Sequence, residues 1–364
     1  MFIQRRLYHL SHIDLDGYSC QLLTSYIFQN RKFYNANYGK EVLFRIDEIF
    51  EDIEKLERGE KVFLLITDLN LTIKEAEYID SKVKQSPYNI HLQLLDHHIT
   101  GAEVAEEFSW YYMNTDKSAT KITFEFIQKN FPFPKESDKI AKFVEAVNAF
   151  DIWLQDSEHF EYGKVMMRLI GSARELARTM FAEEDTYYKL ELLKGAMEIY
   201  NDESIEKKHI YLDDQIHYLK KRFFRGNRED DTIDNLMTNY IVELLEKRKE
   251  ELTIRYKGYK GVLTYMIGSI SVIGNAFLTR NSDYCFFLDV SNKGNISLRA
   301  NGDVDVAVIA QEIGNGGGHS NASGGRVKGM REFYRYGDVK KFIENLLIEK
   351  EYTTDLLLPQ SESN

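Results

Sequence analysis

The chain has 364 residues, of which 43% are apolar and 29% are charged, and its formal net charge is −11 at pH 7. This length suffices for two folded domains, and the composition excludes a disordered or fibrous chain. The acidic charge argues against binding a long nucleic acid, which needs many phosphate contacts. Cys20 and Cys285 are too few for a disulfide framework or a thiolate zinc site.

The two ends of the chain carry little information about structure. The N-terminal segment has basic residues but no continuous apolar region, and no window is apolar enough to form a membrane helix. The sequence therefore predicts a cytoplasmic protein without a membrane span. The last residues, "PQSESN" (359–364), are expected to fray.

The first half of the chain alternates short β-like runs with helix-like segments. The runs are "RLYHLS" (6–11), "VFLLIT" (62–67) and "HLQLL" (91–95). This alternation predicts a parallel α/β sheet, in which ligands gather beyond the carboxyl ends of the strands. Acids and imidazoles follow all three runs, namely His12, Asp14, Asp16, Asp68, Asp96, His97 and His98.

A helix is predicted over "SDKIAKFVEAVNAFDIW" (137–153), with Ser137 or Asp138 as its cap. An apolar stripe runs along this helix, and Asp151 continues the stripe. A carboxylate at the end of an apolar face is costly to desolvate, so it is either paired or bound to a cation. Asp151 therefore joins the acids and imidazoles of the strand ends as a candidate ligand.

Beyond residue 174 the pattern changes twice. Residues 174–255 are helical in pattern and highly charged, which predicts solvated helices that connect two domains. After Lys257, strands are predicted at 261–267, 284–290 and 295–300, with helices at 304–313 and near 337–349.

The predicted fold class is α/β, with a parallel-sheet N-terminal domain, a helical connector and a smaller α/β C-terminal domain. An active-site cleft is expected between the two domains. The predicted limits are 1–173 for the first domain, 174–255 for the connector, 256–350 for the second domain and 351–364 for a tail.

A glycine-rich segment, "GNGGGHSNASGGR" (314–326), lies between two predicted helices of the second domain. It is either a flexible linker or a backbone nest for an anionic group, and the presence of His319 and Ser323 favours the nest. Arg299, on a predicted strand of the same domain, is either an exposed strand residue or a bidentate ligand for a phosphate.

Two short motifs suggest metal chemistry. "HIDLDG" (12–17) does not fit an EF-hand, because the glycine and the final glutamate of that loop are misplaced. Asp14 and Asp16 lie two apart on an extended segment and would point to opposite sides, so they suit two different ions. In "DHH" (96–98), adjacent imidazoles diverge, so one can bind a metal while the other faces a substrate; the alternative is a pair of structural histidines.

Together these residues can serve two octahedral ions if one carboxylate bridges both. A mixed oxygen and imidazole set favours manganese over magnesium or calcium, and the lack of thiolates argues against structural zinc. Two ions about 3.5–4 Å apart clamp the attacking and leaving oxygens of a phosphoryl transfer, which predicts phosphoester hydrolysis. The six ligands are His12, Asp14, Asp16, Asp68, His97 and Asp151.

These motifs resemble those of the DHH phosphoesterase superfamily, in the branch with a DHH-associated C-terminal domain that includes nano-RNases and RecJ-type exonucleases. "SHIDLDG", "ITDLN", "LLDHH" and "NAFDIW" stand in the order of that family. "SLRA" followed by "GNGGGHSNASGG" matches the pattern of its second domain. The resemblance covers nearly the whole chain.

The resemblance implies two Mn²⁺ ions, with Mg²⁺ as a substitute. Asp68 would bridge both ions. The other ligands would be His12 and Asp14 for one ion, and Asp16, His97 and Asp151 for the other.

The resemblance also implies catalytic and substrate-binding roles. Asp96 would orient the histidines, and His98 would contact the scissile phosphate or the leaving oxygen, beside the bridging Asp68. Water would attack phosphorus in line, while the metals and His98 stabilise the developing charge. The substrate's terminal phosphate or nucleotide would be bound by Arg299, Gly316, Gly317, Gly318, His319 and Ser323.

The expected function is hydrolysis of short oligonucleotides or linear dinucleotides to mononucleotides, with 3'-phosphoadenosine 5'-phosphate as a further substrate. Its partners would be short single-stranded RNA or DNA, and a homodimer stays open. Three alternatives remain: a cyclic-dinucleotide phosphodiesterase, an inorganic pyrophosphatase and a noncatalytic nucleotide-binding module. Loss of metal ligands would mark the noncatalytic module, and none of the six is missing.

Overall fold

The computed structural model describes residues 4–132 and 137–357. The chain divides into two compact units, one formed by Met1–Arg174 with Ala182–Phe223 and the other by Glu175–Phe181 with Phe224–Asn364. The stretch expected as a connector is thus shared between the units, and the domain limits stay a prediction. The side chain of Ser137 and the expected frayed end, 359–364, lie outside the described residues.

The first unit contains a five-stranded sheet whose strands are β1 (Arg6–Ser11), β2 (Arg31–Asn35), β3 (Lys61–Thr67), β4 (Asn89–Asp96) and β5 (Tyr111–Met113). All neighbouring strands are parallel, in the order β2-β1-β3-β4-β5, which confirms the predicted parallel sheet. From β1 the chain first adds β2 on one side and then β3, β4 and β5 on the other, so the strand order switches direction between β1 and β3. Ligands of doubly wound folds bind at such a switch point. Ser11 pairs with Asn35 on one side and with Thr67 on the other, so the carboxyl ends of these three strands are level.

Helices cover both faces of this sheet. On one face, the core consists of apolar residues such as Leu64 and Ile66 of the central strand, packed with Ile46 and Ile49. The helices of the unit are α1 (Leu15–Ser25), α2 (Lys40–Ile53), α3 (Ile73–Gln85), α4 (Ala102–Glu107), α5 (Ala119–Asn130), α6 (Ser137–Asp151), α7 (Phe160–Gly171), α8 (Ala182–Asn201) and α9 (Lys208–Arg225).

The second unit is a mixed six-stranded sheet with helices. In chain order its elements are α10 (Ile233–Lys247), α11 (Lys249–Leu252), β6 (Thr253–Tyr256), β7 (Tyr259–Tyr265), α12 (Ile270–Arg280), β8 (Phe286–Val290), β9 (Asn295–Ala300), α13 (Val306–Gly314), β10 (Gly317–His319), β11 (Ala322–Arg326) and α14 (Tyr336–Leu357). The sheet order is β10-β11-β9-β8-β7-β6, with β7 and β8 parallel and the other pairs antiparallel.

Two details of the second unit bear on the expectations. The glycine-rich segment is not a flexible linker, because β10 and β11 form a hairpin that pairs with β9, and its role as a backbone nest stays a prediction. Glycine is a poor strand former, and here it is selected by close packing: a Cβ on Gly316 would lie 2.0 Å from the carbonyl oxygen of Gly324. The last helix continues to Leu357 instead of ending near 349, since no proline interrupts it before Pro359.

Within residues 4–132 and 137–357, a search for helices with the length and hydropathy needed to span a bilayer finds none.

Candidate metal centre

The turn from β1 into α1 contributes the first candidate ligands. Asp14 caps α1 and accepts a hydrogen bond from the amide of Gly17 at 3.1 Å. Gly17 is required there, because a Cβ would lie 2.3 Å from the carbonyl oxygen of His12. His12 Nδ1 lies 2.9 Å from Asp14 Oδ2, so this tight turn places an imidazole beside a carboxylate.

Asp16 is fully buried in the first turn of α1 and is held at the start of α5. Its two carboxylate oxygens accept hydrogen bonds from the amides of Ala119 at 2.7 Å and Thr120 at 2.8 Å. The N-terminus of a helix favours negative charge, and these bonds fix the carboxylate rigidly. Asp16 Oδ2 also lies 3.8 Å from Nε2 of His97.

Asp68 follows β3 and sits at the centre of the cluster. Its φ of 57° is left-handed, a conformation that aspartate adopts more readily than most residues and that strained functional residues often show. One carboxylate oxygen lies 3.6 Å from His12 Nδ1, and the other lies 3.5 Å from His97 Nε2. Asp68 therefore faces two imidazoles with two different oxygens, as a bridging carboxylate would.

Asp151, at the last residue of α6, completes the cluster from another direction. Its Oδ2 lies 3.4 Å from His97 Nε2, so Asp16, Asp68 and Asp151 all approach the same imidazole nitrogen. The six residues named as ligands are thus brought together from three strand ends, the start of α1 and the end of α6.

Asp96 and His98 form a separate hydrogen-bonded chain beside these ligands. Asp96 is fully buried, and its Oδ1 pairs with His98 Nδ1 at 2.7 Å while its Oδ2 accepts from the hydroxyl of Tyr111 at 2.6 Å. In the described residues no hydrogen bond joins Asp96 to His97. The carboxylate therefore orients His98 alone, and it fixes the tautomer with a proton on Nδ1.

Tyr38 was not found from the sequence. Its hydroxyl lies 3.1 Å from Nε2 of His98, and its ring packs against that of His12 with the centroids 4.4 Å apart and the planes tilted by 36°. It follows β2, the edge strand next to β1. The sequence did not reveal β2 as a strand, because β2 is short and its charged residues obscure an apolar pattern. Without β2 in the sheet, Tyr38 could not be placed beside the other strand ends.

Three sets of ligand atoms lie close enough for cations. The sets are His12 with Asp14 and Asp68, Asp16 with His97 and Asp151, and Asp68 with His97 and His98, and within each set the ligand atoms lie within 4.8 Å of one another. Among the residues that the structure describes, three buried atoms of this cluster make no hydrogen bond, namely His12 Nδ1, which has only its ion-pair contacts with Asp14 and Asp68, Asp68 Oδ2 and Asp151 Oδ2. Buried polar atoms without hydrogen bonds are costly, and divalent cations held by the first two sets would satisfy all three. The residues present therefore fit metal ions.

The charges of the cluster support the same interpretation. Burial raises the pKa of Asp68 well above its usual range, and the nearby charges of Asp14 and Asp16 raise it further. Burial, followed by the charges of Asp16 and Asp68, raises the pKa of Asp151 to about 9. Carboxylates this crowded retain a proton unless positive charge is supplied, and bound cations supply it.

The residues predicted to bind substrate lie in the second unit. Arg299 on β9 pairs with Ala322 on β11, which pairs in turn with His319 on β10. Residues that lie directly opposite one another on neighbouring strands project from the same face of a sheet. Arg299 and His319 therefore share a face. The Arg299 guanidinium contacts the carbonyl oxygen of Leu298 and the hydroxyl of Ser271.

The remaining predicted residues of this unit are part of its backbone packing. Gly316 precedes β10, and Gly317 and Gly318 lie within it. Ser323 is buried and donates a hydrogen bond of 2.6 Å to the carbonyl oxygen of Val306, so its hydroxyl is used within the fold. Substrate binding by these residues stays a prediction.

Comparison with known proteins gives concordant results. Residues 277–347 match the family model described as the DHHA1 domain. A Helicobacter pylori protein named 3',5'-cyclic-nucleotide phosphodiesterase is 45% identical over 346 residues, which cover 94% of this chain and 98% of that protein. A crystal structure of an uncharacterized protein from Helicobacter pylori G27 has 44% identity and a TM-score of 0.87, covering 94% of this chain and 99% of that one.

The fold and the cluster of acids and imidazoles define a phosphoesterase of the two-domain α/β type. The chain belongs to the DHH superfamily, with a DHHA1 C-terminal domain, as its resemblance to that family implied. It is a hydrolase that acts on phosphodiester bonds.

Proposed function

We propose that this chain is a manganese-dependent phosphodiesterase that hydrolyses 3',5'-cyclic nucleotides to mononucleotides. One observation supports the proposal: His12 Nδ1, Asp68 Oδ2 and Asp151 Oδ2 are buried, make no hydrogen bond within the described residues, and belong to residues whose ligand atoms lie within 4.8 Å of one another. The relative with 45% identity is named for this substrate class, and that similarity extends over 94% of the chain.

The proposed ligands follow the sequence analysis. His12 and Asp14 would hold one ion, Asp16, His97 and Asp151 the other, and Asp68 both. Divalent cations, when bound, neutralise phosphate charge and lower the pKa of water.

The remaining groups of the site suit the other end of the reaction. Hydrolysis forms a bond from water oxygen to phosphorus, breaks the bond to the leaving oxygen, and requires a proton on that oxygen. His98 Nε2 is the group proposed to deliver that proton: Asp96 holds the proton on Nδ1 and turns Nε2 outward, and the charge of Asp96 favours a second proton on Nε2. Buried Asp96, fixed by Tyr111, keeps the imidazole in this orientation.

Hydrolysis of short linear oligonucleotides, with 3'-phosphoadenosine 5'-phosphate as a related substrate, is the second candidate. The observation that favours this candidate is that Arg299 and His319 lie on one face of the sheet in the second unit. A cyclic nucleotide has a single phosphate, which metal ions held by the cluster would bind, whereas a linear oligonucleotide has further phosphates for a guanidinium to bind. The net charge of −11 disfavours binding of long nucleic acids, so the substrates of this candidate are short.

A product assay tests both candidates. The full chain with Mn²⁺ is given 3',5'-cyclic AMP, a linear dinucleotide, a cyclic dinucleotide, 3'-phosphoadenosine 5'-phosphate and pyrophosphate in separate reactions. We expect release of AMP from 3',5'-cyclic AMP at the highest rate. A higher rate with the dinucleotide would favour the second candidate, and hydrolysis of pyrophosphate alone would reject both.

A further inference from the structure

Trp153 is a large aromatic residue that the mechanism does not use and whose position requires an explanation. Its side chain is 60% exposed, and its φ of 60° is left-handed. A bulky residue with this backbone conformation is unusual, and such residues occur where the surrounding structure over-determines them, often at functional sites.

The backbone at Trp153 forms a helix-ending turn that normally selects glycine. At the end of α6, the amide of Trp153 bonds to the carbonyl oxygen of Phe150, and the amide of Leu154 bonds to that of Ala149. These are the two hydrogen bonds of a Schellman motif, in which the left-handed position is usually glycine. The left-handed conformation is unfavourable for a residue with a Cβ such as tryptophan, so the turn itself does not account for the indole.

Two aromatic rings hold the indole in place. Its ring centroid lies 5.8 Å from that of Phe150 and 5.1 Å from that of Phe160, and it meets Phe160 at 88°. The edge-to-face contact is a favourable aromatic geometry that fixes the orientation of the ring. The exposed part of the indole is thus a rigid aromatic surface.

The position of Trp153 relates this surface to the metal centre. Asp151 precedes it by two residues and lies 3.4 Å from His97 Nε2. Two Cα atoms separated by two peptide units are at most about 7.6 Å apart. The backbone of Trp153 is therefore close enough to Asp151 for its indole to meet the base of a nucleotide whose phosphate binds beside Asp151.

We propose that Trp153 is the base-stacking residue of the substrate site, and that its ligand is the purine or pyrimidine ring of the bound nucleotide. Stacking on an aromatic side chain tolerates any base, because every base has a π face. This inference rests on the proposed function, since it places the base of that substrate. It makes Trp153 a binding residue that supplies affinity for the base.

Tryptophan fluorescence tests the proposal directly. The chain has two tryptophans, and the other one, Trp110, donates a hydrogen bond to Asp80 and packs on Phe108. In the Trp110→Phe variant, emission comes from Trp153 alone. Addition of AMP to this full chain with Mn²⁺ should quench the emission in a saturable way, whereas ribose 5-phosphate, which has no base, should not.

Affinity supplies the second readout. Trp153→Gly suits the left-handed turn, so it should retain the fold, and a thermal melt checks this. It should weaken AMP binding by about 5- to 100-fold in calorimetry, the usual range for one stacked base. Trp153→Phe, which keeps an aromatic face, should lose less, and Trp110→Phe should bind as the wild type does.

The outcomes separate the inference from the proposed function. Equal quenching by AMP and ribose 5-phosphate, or unchanged AMP affinity in a folded Trp153→Gly variant, would overturn the inference. A chain that binds AMP through Trp153 but hydrolyses no phosphodiester would reject the proposed function and leave the stacking role intact.

Discussion

The two units of the chain present their candidate site residues in contrasting ways. In the first unit, the acids and imidazoles are buried or half-buried and are fixed by contacts such as those of Asp16 with the start of α5. In the second unit, His319 is exposed and Arg299 is half-exposed on one face of a sheet. The first arrangement suits chemistry, which needs preorganised groups, and the second suits recognition of a mobile anion.

This contrast implies a division of kinetic effects. Removing a group of the first unit should lower kcat, because that group acts on the reacting atoms. If the second unit binds substrate as proposed, removing one of its groups should raise KM, because that group would bind parts of the substrate that do not react.

The largest effect is expected for Asp68→Asn. Asparagine keeps the size and tolerates the left-handed backbone of Asp68, but it removes the charge that faces His12 and His97. Turnover of a cyclic nucleotide with Mn²⁺ should fall by about a thousandfold or more, since metal sites contribute several orders of magnitude. Asp47→Asn, at an exposed carboxylate paired with Lys82, is the matched control. Retention of more than a few per cent of activity would reject Asp68 as the shared ligand.

The next effect is expected for Arg299→Ala in the second unit. Loss of a charged hydrogen bond to phosphate should raise KM for a linear dinucleotide by about 10- to 100-fold while kcat changes little. Arg255→Ala, at an exposed position on β6 of the same sheet, is the control. A fall in kcat with unchanged KM would contradict the proposal that groups of the first unit act on kcat and groups of the second unit act on KM.

A smaller effect is expected for Tyr38→Phe. The change removes the hydroxyl beside His98 Nε2 but keeps the ring that packs against His12. One neutral hydrogen bond is worth about 0.5 to 1.5 kcal/mol, so kcat should fall about 3- to 10-fold with unchanged Mn²⁺ affinity in calorimetry. Tyr78→Phe removes a comparable hydroxyl, bonded to Asp47, away from the cluster and serves as the control. Weakened Mn²⁺ binding would show that the hydroxyl supports the ligands instead.

The smallest effect concerns Asp289, a half-buried carboxyl of the second unit. Burial raises its pKa to about 6, without the neighbouring acids that raise the pKa of Asp151. In the unfolded chain the pKa of this carboxyl is near 4, and below that pH protonated Asp289 contributes its full stabilisation to the fold. This stabilisation is lost as the pH rises through the folded-state pKa of about 6. Asp289→Asn should therefore become more stable than the wild type as pH rises, with a gain that grows by about 1 kcal/mol between pH 5 and 8. Urea unfolding measures this difference, and a gain that is larger at pH 5 would contradict the assignment.

The sequence predicts much of the first site because of one geometric rule. The carboxyl ends of parallel strands share an edge, so His12, Asp68 and His97 could be expected to meet there once strands were recognised. The bonds of Asp16 to the start of α5 could not be predicted, since they join residues 103 and 104 positions apart. Tyr38 was missed because it follows an edge strand without a clear apolar pattern.

The second unit was harder to predict for a different reason. Strands β10 and β11 are rich in glycine, and their pairing depends on close backbone approach at Gly316, which local propensity does not encode. Trp153 was passed over because its role depends on a left-handed turn and on the exposure of its indole, which both require coordinates.

Metal dependence of turnover tests the central claim most directly. The full chain is stripped of metal with a chelator, dialysed, and assayed with 3',5'-cyclic AMP before and after addition of Mn²⁺, with folding checked by circular dichroism. The stripped protein should be folded and inactive, and Mn²⁺ should restore hydrolysis in the wild type but not in Asp68→Asn. Full activity of the stripped protein, or equal restoration in Asp68→Asn, would contradict a catalytic metal centre at His12, Asp68 and His97.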